Sequence, residues 1–217
     1  MDEALLNHLL SFLTERRRTL FEEVLEERTR HFTVAVEDVY HLHNTSAVMR
    51  NCDAFGIQDV HVIEQRSGKR IDREIAMGAQ KWVSVHRHKE PTSCIESLRS
   101  QGYRIVACSP HKQAYPLKDF SIEQPSVFFF GREVDGLSEE VMDTADDFIY
   151  IPMVGFSESL NISVSAAVIL QYLTHQLKSS KIDWKLSEEE RQELKFKWAK
   201  NTLKRSDKII AHYHKSR

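Results

Sequence analysis

Short apolar, β-branched runs alternate with amphipathic segments from about residue 33 to residue 177. Runs of this kind, bounded by polar or turn-forming residues, are typical of buried β-strands. Six strands are predicted, at 33–39, 59–65, 82–88, 103–109, 126–131 and 147–153. Because these strands alternate with helical patterns, the chain is expected to adopt an α/β fold. A mostly parallel sheet would carry helices on both faces.

Helical patterns fill the intervals between these strands. A loop after the first strand leads into a helix that should close at Gly56, since glycine commonly ends helices. Another helix should end near Lys81, and two more are predicted at 94–100 and 166–173.

Both ends of the chain also show helical patterns. Leucines at positions 5, 6, 9, 10 and 13 share one helical face. A second helix is predicted to begin at Thr19, whose spacing from Glu22 is that of a capping box. A basic cluster, Arg16–Arg18, would then lie between the two helices.

A polar segment at 178–185 is the one plausible boundary, and the capping-box spacing of Ser187 and Glu190 follows it. The predicted division is therefore a helical extension at 1–32, an α/β domain at 33–177 and a basic helical extension at 178–217.

Composition narrows the class of protein. The chain has 217 residues, of which 41% are hydrophobic, enough for one full core. No apolar run reaches the roughly 18 residues that a membrane span needs. The segment Met1–Leu13 starts with acidic residues and lacks a small-residue cleavage site, which favours an amphipathic helix over a signal peptide. We expect a cytoplasmic protein without membrane contact.

Charge is unevenly distributed. The formal net charge is −2, yet residues 178–217 contain twelve Lys or Arg and six Asp or Glu, a net charge of +6. A basic tail on an acidic body is typical of a nucleic-acid contact surface, although a solvated charged helix has the same composition.

The cysteines and histidines show no metal-binding spacing. Cys52, Cys94 and Cys108 are widely separated and odd in number, as expected of reduced cytosolic thiols. The eleven histidines include no HExxH pattern. We therefore expect no structural metal.

Candidate chemistry follows the predicted strands, because ligands of α/β sheets bind beyond the carboxyl ends of the strands. Asn44 and Arg50 come after the first strand, where Asn44 could cap a helix and Arg50 could form a surface salt bridge. The sequence has no GxGxxG, Walker A or GxSxG pattern, which argues against a Rossmann dinucleotide site, a P-loop and a serine hydrolase.

Two further loops follow the fifth and sixth strands. Gly131 and Gly136 bracket a tight turn that contains Glu133, either a helix-start acid or a site carboxylate. After the sixth strand, Gly155 permits a bend, and Ser159 or Asn161 could cap the next helix. Free N–H groups at that helix start would favour an anion or a carboxylate.

Together these three loops resemble the TrmH (SpoU) family of SPOUT-class RNA methyltransferases. The first motif is "NTSAVMRNCDAFG", with an arginine six residues after the asparagine; the second is "FGREVDGL"; the third is "IPMVGFSESLNISVSAA". Ile162 and Ser165 are mild departures from the family pattern. The match covers about residues 33–177.

The resemblance implies a deep C-terminal trefoil knot whose loops bind S-adenosyl-L-methionine. Six positions match cofactor-contacting residues of the family: Cys108, Ser109, Gly131, Ile151, Met153 and Leu160. Five match its catalytic positions: Arg50, Asn44, Glu133, Ser159 and Asn161. The reaction implied is methyl transfer to a ribose 2′-hydroxyl. Arg50 would be the base, or would position a phosphate, since an arginine ordinarily stays protonated.

The resemblance also implies the partners. The layout of short terminal extensions is closest to enzymes that methylate guanosine-18 of the tRNA D-loop, and such enzymes are homodimers. The residues expected to touch RNA are Arg16, Arg17, Arg18, Arg50, Lys204 and Arg205. Ribosomal RNA or another tRNA position remains an alternative substrate, and a non-catalytic RNA-binding protein is an alternative of another class.

Overall fold

The computed structural model describes residues 2–38, 42–64, 78–110, 113–132 and 135–215, without the side chains of residues 42 and 43. Contacts divide the chain into two compact units. One contains Met1–Arg28 and Lys185–Arg217, and the other contains Thr29–Trp184. The three-part division expected from the sequence stays a prediction.

The larger unit is built on a seven-stranded sheet in the part of the chain that is described. The strands are β1 (Phe32–Glu37), β2 (Asp59–Ile63), β3 (Ser84–His88), β4 (Arg104–Cys108), β5 (Tyr115–Pro116), β6 (Ser126–Phe130) and β7 (Asp147–Tyr150). Their order is β3-β2-β1-β6-β4-β7-β5, and every pairing is parallel.

In the described part of this unit, four helices follow strands. They are α3 (Leu42–Ala54), α4 (Pro91–Ser100), α5 (Glu139–Thr144) and α6 (Ile162–Ser179), and two short 3₁₀ turns lie at Ala79–Lys81 and Leu117–Asp119. The α/β class with a mostly parallel sheet is confirmed. The helix predicted before Lys81 lies largely outside the described residues, which resume at residue 78.

Side chains alternate across the sheet and form two apolar layers. Val34, Val60 and Phe128 face α3 and α6, with Met49 and Leu170 among the helix residues that pack on them. The opposite face carries a second cluster, which α4 and α5 cover. Strands buried on both faces read as continuous apolar runs, which explains why "SVFFF" was recognisable from sequence.

The second apolar layer contains a polar cluster. The apolar residues of this layer are Ala35, Ile63, Cys94, Ile95, Leu98, Ile105, Ala107, Val127, Phe129, Leu137, Val141 and Phe148. Beside Cys94, His61 Nδ1 lies 3.0 Å from His88 Nε2. Burial, together with the charges of His86 and His88, lowers the pKa of His61 to about 3. Burial and then the Glu37 charge raise the pKa of the Cys94 thiol to about 12.

The smaller unit consists of four helices in the described residues: α1 (Glu3–Ser11), α2 (Glu15–Glu26), α7 (Glu188–Thr202) and α8 (Ser206–Lys215). Its core includes Leu9, Phe21, Leu25 and Trp198, with the Phe21 and Trp198 rings 5.5 Å apart. The Arg28 guanidinium lies 5.5 Å from the Trp198 ring centre. The predicted leucine face of α1 therefore supplies this core.

The sequence-based start of α2 was wrong. The helix begins at Glu15, and the side chain of Thr14 accepts a hydrogen bond from Arg17 N at 3.3 Å. Arg16–Arg18 therefore form the first turn of α2 rather than a link between helices, because arginine is a good helix former. The Ser187–Glu190 capping box at the start of α7 is confirmed.

None of the described helices is both long enough and apolar enough to cross a membrane.

Candidate functional site

The predicted site residues follow neighbouring strands of the sheet. The order β1-β6-β4-β7 places the segments after these four strands at one edge, because all four are parallel. Gly131 follows β6, Ser109 follows β4 and Ile151 follows β7. Adjacent strands lie about 4.8 Å apart, so the sheet brings these three positions close together.

A hydrogen bond between two asparagines joins the first and third motifs. Asn161 Nδ2 donates to Asn44 Oδ1 at 3.1 Å, across 117 residues of chain. Asn161 also caps α6, since its Oδ1 accepts from Ser163 N at 2.8 Å and from Ser163 Oγ at 2.6 Å. Of the two capping candidates, Asn161 is therefore the one that caps. One amide both starts α6 and contacts the first motif.

Asn44 does not cap α3. The helix begins at Leu42, so Asn44 is its third residue, and the side chain is available to the Asn161 amide instead.

A second amide, that of Asn51, also joins α3 to the start of α6. Sequence reasoning missed this residue. Asn51 Nδ2 donates to Ser163 O at 2.6 Å. Asn51 therefore ties α3 to the first turn of α6. Its position directly after Arg50 was the only signal available, because the partner lies 112 residues away.

Arg50 sits between these two contacts on α3, and its side chain is exposed. Among the described residues it has no ion-pair or hydrogen-bond partner. An exposed guanidinium keeps five N–H donors for an external acceptor, and a phosphate matches their geometry. Asn44 and Asn51 fix the helix that carries it.

The glycine turn of the second motif is closed by its own backbone. Arg132 N donates to Gly136 O at 2.9 Å, and Gly136 N donates to Arg132 O at 3.0 Å. Gly136 has φ +71°. A Cβ on Gly131 would lie 2.2 Å from the Gly136 carbonyl carbon, so only glycine fits at this position. Glu133 lies outside the described residues, and its role stays a prediction.

A buried carboxylate also holds this turn. Glu37, at the end of β1, is 1% exposed and accepts a hydrogen bond from Ser138 N at 2.9 Å. Ser138 is the N-cap of α5, directly beyond the glycine turn. Sequence reasoning missed Glu37 too; an acid ending an apolar strand was its only signal.

The segment 151–161 after β7 has no regular secondary structure and is largely exposed. Val154 and Phe156 are fully exposed, and Met153 and Leu160 are partly so. Ser159 is exposed and makes no hydrogen bond to the described residues. This segment offers apolar walls and backbone groups, but no charged side chain except Glu158.

The residues predicted to hold S-adenosyl-L-methionine fit such a ligand. Ile151, Met153 and Leu160 provide apolar surface, and the Gly131 turn brings backbone close to the same sheet edge. Burial raises the pKa of the Cys108 thiol, so this side chain stays neutral and acts as a wall rather than a nucleophile. Ser109 N is already bonded to Ile149 O at 3.1 Å, which fixes the backbone after β4.

The predicted RNA-contacting residues of the smaller unit are accessible. Arg16, Arg18, Lys204 and Arg205 are exposed and Arg17 is partly exposed, and none has an ion-pair partner among the described residues. Some other basic residues of the tail form ion pairs with glutamates of α2. Lys195 pairs with Glu22 at 2.7 Å, and Lys185 pairs with Glu26 at 2.9 Å. Arg191 also pairs with Glu26.

Comparison with known proteins gives one family. The sequence model of the SpoU rRNA Methylase family matches residues 31–171. A tRNA (guanosine(18)-2′-O)-methyltransferase of Borreliella burgdorferi is 35% identical over 196 residues, which is 90% of each chain.

Solved structures agree. The TrmH/SpoU tRNA modifying enzyme of A. aeolicus aligns with a TM-score of 0.79 and 32% identity, over 88% of this chain and 98% of that one. The SpoU methyltransferase AviRb of Streptomyces viridochromogenes, solved in complex with AdoMet, aligns with a TM-score of 0.64 over 73% of this chain and 65% of that one. At 22% identity, this second likeness concerns the fold.

Proposed function

Because the chain belongs to the SpoU methylase family, we propose that it methylates the ribose 2′-hydroxyl of guanosine-18 in tRNA, using S-adenosyl-L-methionine. The relative from Borreliella burgdorferi, named for this reaction, is similar over 90% of its length. The observation that carries the proposal is the Asn161–Asn44 hydrogen bond at 3.1 Å. It joins the motif of Arg50 to the loop of Leu160, at the edge where the Gly131 turn lies.

S-adenosyl-L-methionine, when bound, supplies an electrophilic methyl group on a sulfonium. We assign its contacts to Cys108, Ser109, Gly131, Ile151, Met153 and Leu160. Their combination of backbone groups and apolar side chains suits an adenosine, which needs no countercharge. A solved structure of the same fold holds AdoMet, which supports this assignment.

The protein's own residues must bind the RNA and help to remove the proton of the ribose 2′-hydroxyl. The ribose hydroxyl loses its proton as its oxygen bonds the methyl carbon. Arg50 is the exposed charged group on the helix that Asn44 and Asn51 hold in place. We propose that its guanidinium binds an RNA phosphate beside the reacting ribose, and that this phosphate takes part in removing the proton. Ser159 and Glu133 complete the proposed catalytic set.

The substrate is tested with tRNA transcripts and radiolabelled S-adenosyl-L-methionine. One methyl group per tRNA is expected on intact transcript, and none on a transcript that carries 2′-deoxyguanosine at position 18. Transfer to the deoxy transcript would move the reaction to another nucleotide. Label in ribosomal RNA fragments alone would support the ribosomal alternative. No binding of S-adenosyl-L-methionine in calorimetry, with or without RNA, would support the non-catalytic alternative.

The role of Arg50 is tested by two replacements. Arg50→Ala should abolish methyl transfer and leave cofactor affinity nearly unchanged. Arg50→Lys keeps a charge for the phosphate, so it should retain partial activity with an unchanged pH profile. A pH profile displaced in Arg50→Lys would instead mean that the arginine itself takes the proton.

We also propose that the protein works as a homodimer. Val164 and Val168, four residues apart on α6, are exposed on one face of the helix, next to a loop with Val154 and Phe156 exposed. Exposed apolar side chains concentrated in one stretch of chain, here residues 154–168, are typical of an interaction site. A second copy would cover it and would place its own site residues nearby.

The dimer is tested by light scattering after size-exclusion chromatography. Val164→Glu/Val168→Glu should give monomers and lose methyl transfer. Leu20→Glu is the matched control, because Leu20 is an exposed leucine of α2; it should leave the mass unchanged. A dimer that survives the double replacement would place the interface elsewhere.

Two expectations complete the proposal. The trefoil knot is expected from family membership. A cytoplasmic location is expected from the tRNA substrate.

A further inference from the structure

Three metal-ligating side chains lie together on the face of the sheet that α4 covers. One ring nitrogen each of His61 and His88 and the Cys94 sulfur all lie within 4.8 Å of one another. His61 is in the middle of β2, His88 ends β3, and Cys94 is in the first turn of α4. His61 and His88 are 27 residues apart, and His88 and Cys94 are 6 apart. This spacing matches no metal-binding motif, so the cluster can be recognised only from the three-dimensional structure.

Strand register produces this cluster. His61 pairs with His86 across β2 and β3, and His88 is two residues further along the same strand. Side chains two apart point to the same face, so His61, His86 and His88 form a row. Only Lys89 and Glu90 separate β3 from α4, and Pro91 starts the helix. The short link places Cys94 above the end of that row.

The distances are close to those of a metal site. His61 Nδ1 and His88 Nε2 are 3.0 Å apart. Two nitrogens bound to one tetrahedral Zn²⁺ are separated by about 3.3 Å, and a nitrogen and a thiolate by about 3.5 Å. The nitrogens need almost no movement, and the sulfur needs to approach by at most about 1.3 Å.

The surroundings orient the rings. The His86 ring stacks on His61 with centroids 4.8 Å apart, and its Nε2 lies 2.8 Å from Asp59 Oδ1. Asp59 also accepts from Arg30 Nε at 2.7 Å. Asp59 thus fixes the His86 ring, and the stack limits how the neighbouring His61 ring can turn. The Asp59 carboxylate is already bonded to His86 and Arg30. His61 and His88 are hydrogen-bonded to one another instead.

We propose that His61, His88 and Cys94 bind one Zn²⁺ ion. Imidazole and thiolate are the ligands that Zn²⁺ takes in proteins, and three protein ligands leave one position for solvent. The ion replaces the hydrogen bond between the two rings: the donor ring moves its proton to its other nitrogen, and the Cys94 thiol releases one proton to solvent. The site ties α4 to β2 and β3 and is separate from the residues assigned to methyl transfer.

The test uses the full chain, freed of metal with a chelator. Equilibrium dialysis against Zn²⁺ should give one ion per chain. Co²⁺ should replace it and show both the visible bands of a tetrahedral ion and the near-ultraviolet band of a thiolate ligand. Cys94→Ser should remove the thiolate band, and His88→Gln should weaken Zn²⁺ binding at least tenfold.

Two matched controls separate ligands from neighbours. His86→Gln removes the stacked ring that is no ligand, and Cys52→Ser removes a buried thiol from the opposite face of the sheet; both should bind Zn²⁺ with unchanged stoichiometry and affinity within a factor of three. Circular dichroism without metal checks that each variant is folded. Should Cys94→Ser unfold, His88→Gln decides, because His88 is only partly buried.

The proposal is overturned if the folded wild-type chain binds no Zn²⁺ saturably. It is equally overturned if Cys94→Ser and His88→Gln bind as the wild type does. Since metal content is measured directly, neither result depends on methyl transfer.

Discussion

Gly131 is constrained by backbone, not by side chains. Any Cβ there would lie 2.2–2.4 Å from three backbone atoms of Gly136 and Leu137. The backbone hydrogen bonds between Arg132 and Gly136 fix that approach. A larger residue must open the turn, and the turn lies where the cofactor is proposed to bind.

Gly131→Ala is therefore expected to weaken S-adenosyl-L-methionine binding at least tenfold, measured by calorimetry. Gly155→Ala is the matched control, since a Cβ at Gly155 meets nothing within 4 Å, and its affinity should stay near that of the wild type. Equal affinities for both variants would mean that the turn does not contact the cofactor.

Asn161 has two separable roles, capping α6 and contacting Asn44. Asn161→Ala removes both and should cost about 1 kcal/mol of unfolding free energy, the usual cost of a lost N-cap. Asn161→Ser keeps a capping oxygen and should unfold nearly as the wild type does in urea.

Measuring methyl transfer separates the capping role of Asn161 from its contact with Asn44. Because serine cannot reach Asn44 with an amide, Asn161→Ser should lose activity despite its stability. If its activity instead equals that of the wild type, Asn161 is a cap and nothing more.

The predictability of these residues depended on where their partners lie. Asn161 as a cap is a local property, and the motif pattern indicated it. Asn51 and Glu37 act on partners more than 100 residues away, so no local pattern could assign them. Capping, one of the two roles open to Asn44, would also have been local, whereas the partner that the structure shows is Asn161, 117 residues away.

Among the elements, β5 is the shortest strand described, and a side chain holds it in place. Tyr115 pairs with Ile149 of β7, and its hydroxyl donates to Asp147 Oδ1 at 2.9 Å. Burial, then the bond to Asp147, raises the pKa of Tyr115 to about 12. The neutral phenol is therefore favoured in the folded protein.

Tyr115→Phe should lower the free energy of unfolding by about 1 kcal/mol near neutral pH, the net value of one hydrogen bond. Asp147 keeps Arg104, 3.0 Å away, so no buried acid is stranded.

The pH dependence of this contribution has a definite sign. A raised tyrosine pKa stabilises the fold below the unfolded value of about 10 and loses that effect as pH rises towards 12. The gap in urea midpoint between wild type and Tyr115→Phe should therefore narrow from pH 10 upwards. A gap independent of pH would mean that Tyr115 titrates alike in both states.

Element boundaries show the same division between local and distant causes. The apolar strands β1 and β6 were recognisable because both of their faces are buried. The start of α2 was misplaced because Thr19 has an acid, Glu22, at the capping-box spacing, whereas the actual cap, Thr14, has Arg17 there. β5, with two residues, has too little pattern to be found.

At the scale of the whole molecule, the smaller unit combines residues from both ends of the chain. This changes how RNA binding should be tested. Deleting the tail would expose Phe21 and Leu25 along with removing charge, so charge must be removed by substitution. Lys204 and Arg205 are exposed on that unit and have no ion-pair partner among the described residues.

Lys204→Gln/Arg205→Gln should weaken tRNA binding and make it less sensitive to salt. Each lost phosphate contact lowers the slope of log affinity against log salt by about 0.7 to 0.9. Lys195→Gln is the control: its ammonium is paired with Glu22 at 2.7 Å, so it should leave the slope unchanged. If the double variant shows the same salt dependence of tRNA affinity as the wild type, α7 and α8 form a solvated extension that does not contact RNA.

The composition of the smaller unit also sets an order of events during synthesis. Residues 2–28 are made before the sheet unit, yet Phe21 has no Trp198 to pack on until 177 residues later. The sheet unit, whose residues are contiguous, has all of its chain before that point. Helices α1 and α2 are therefore made before the sheet unit but find their tertiary partners after it, and until then their apolar faces are open to chaperones.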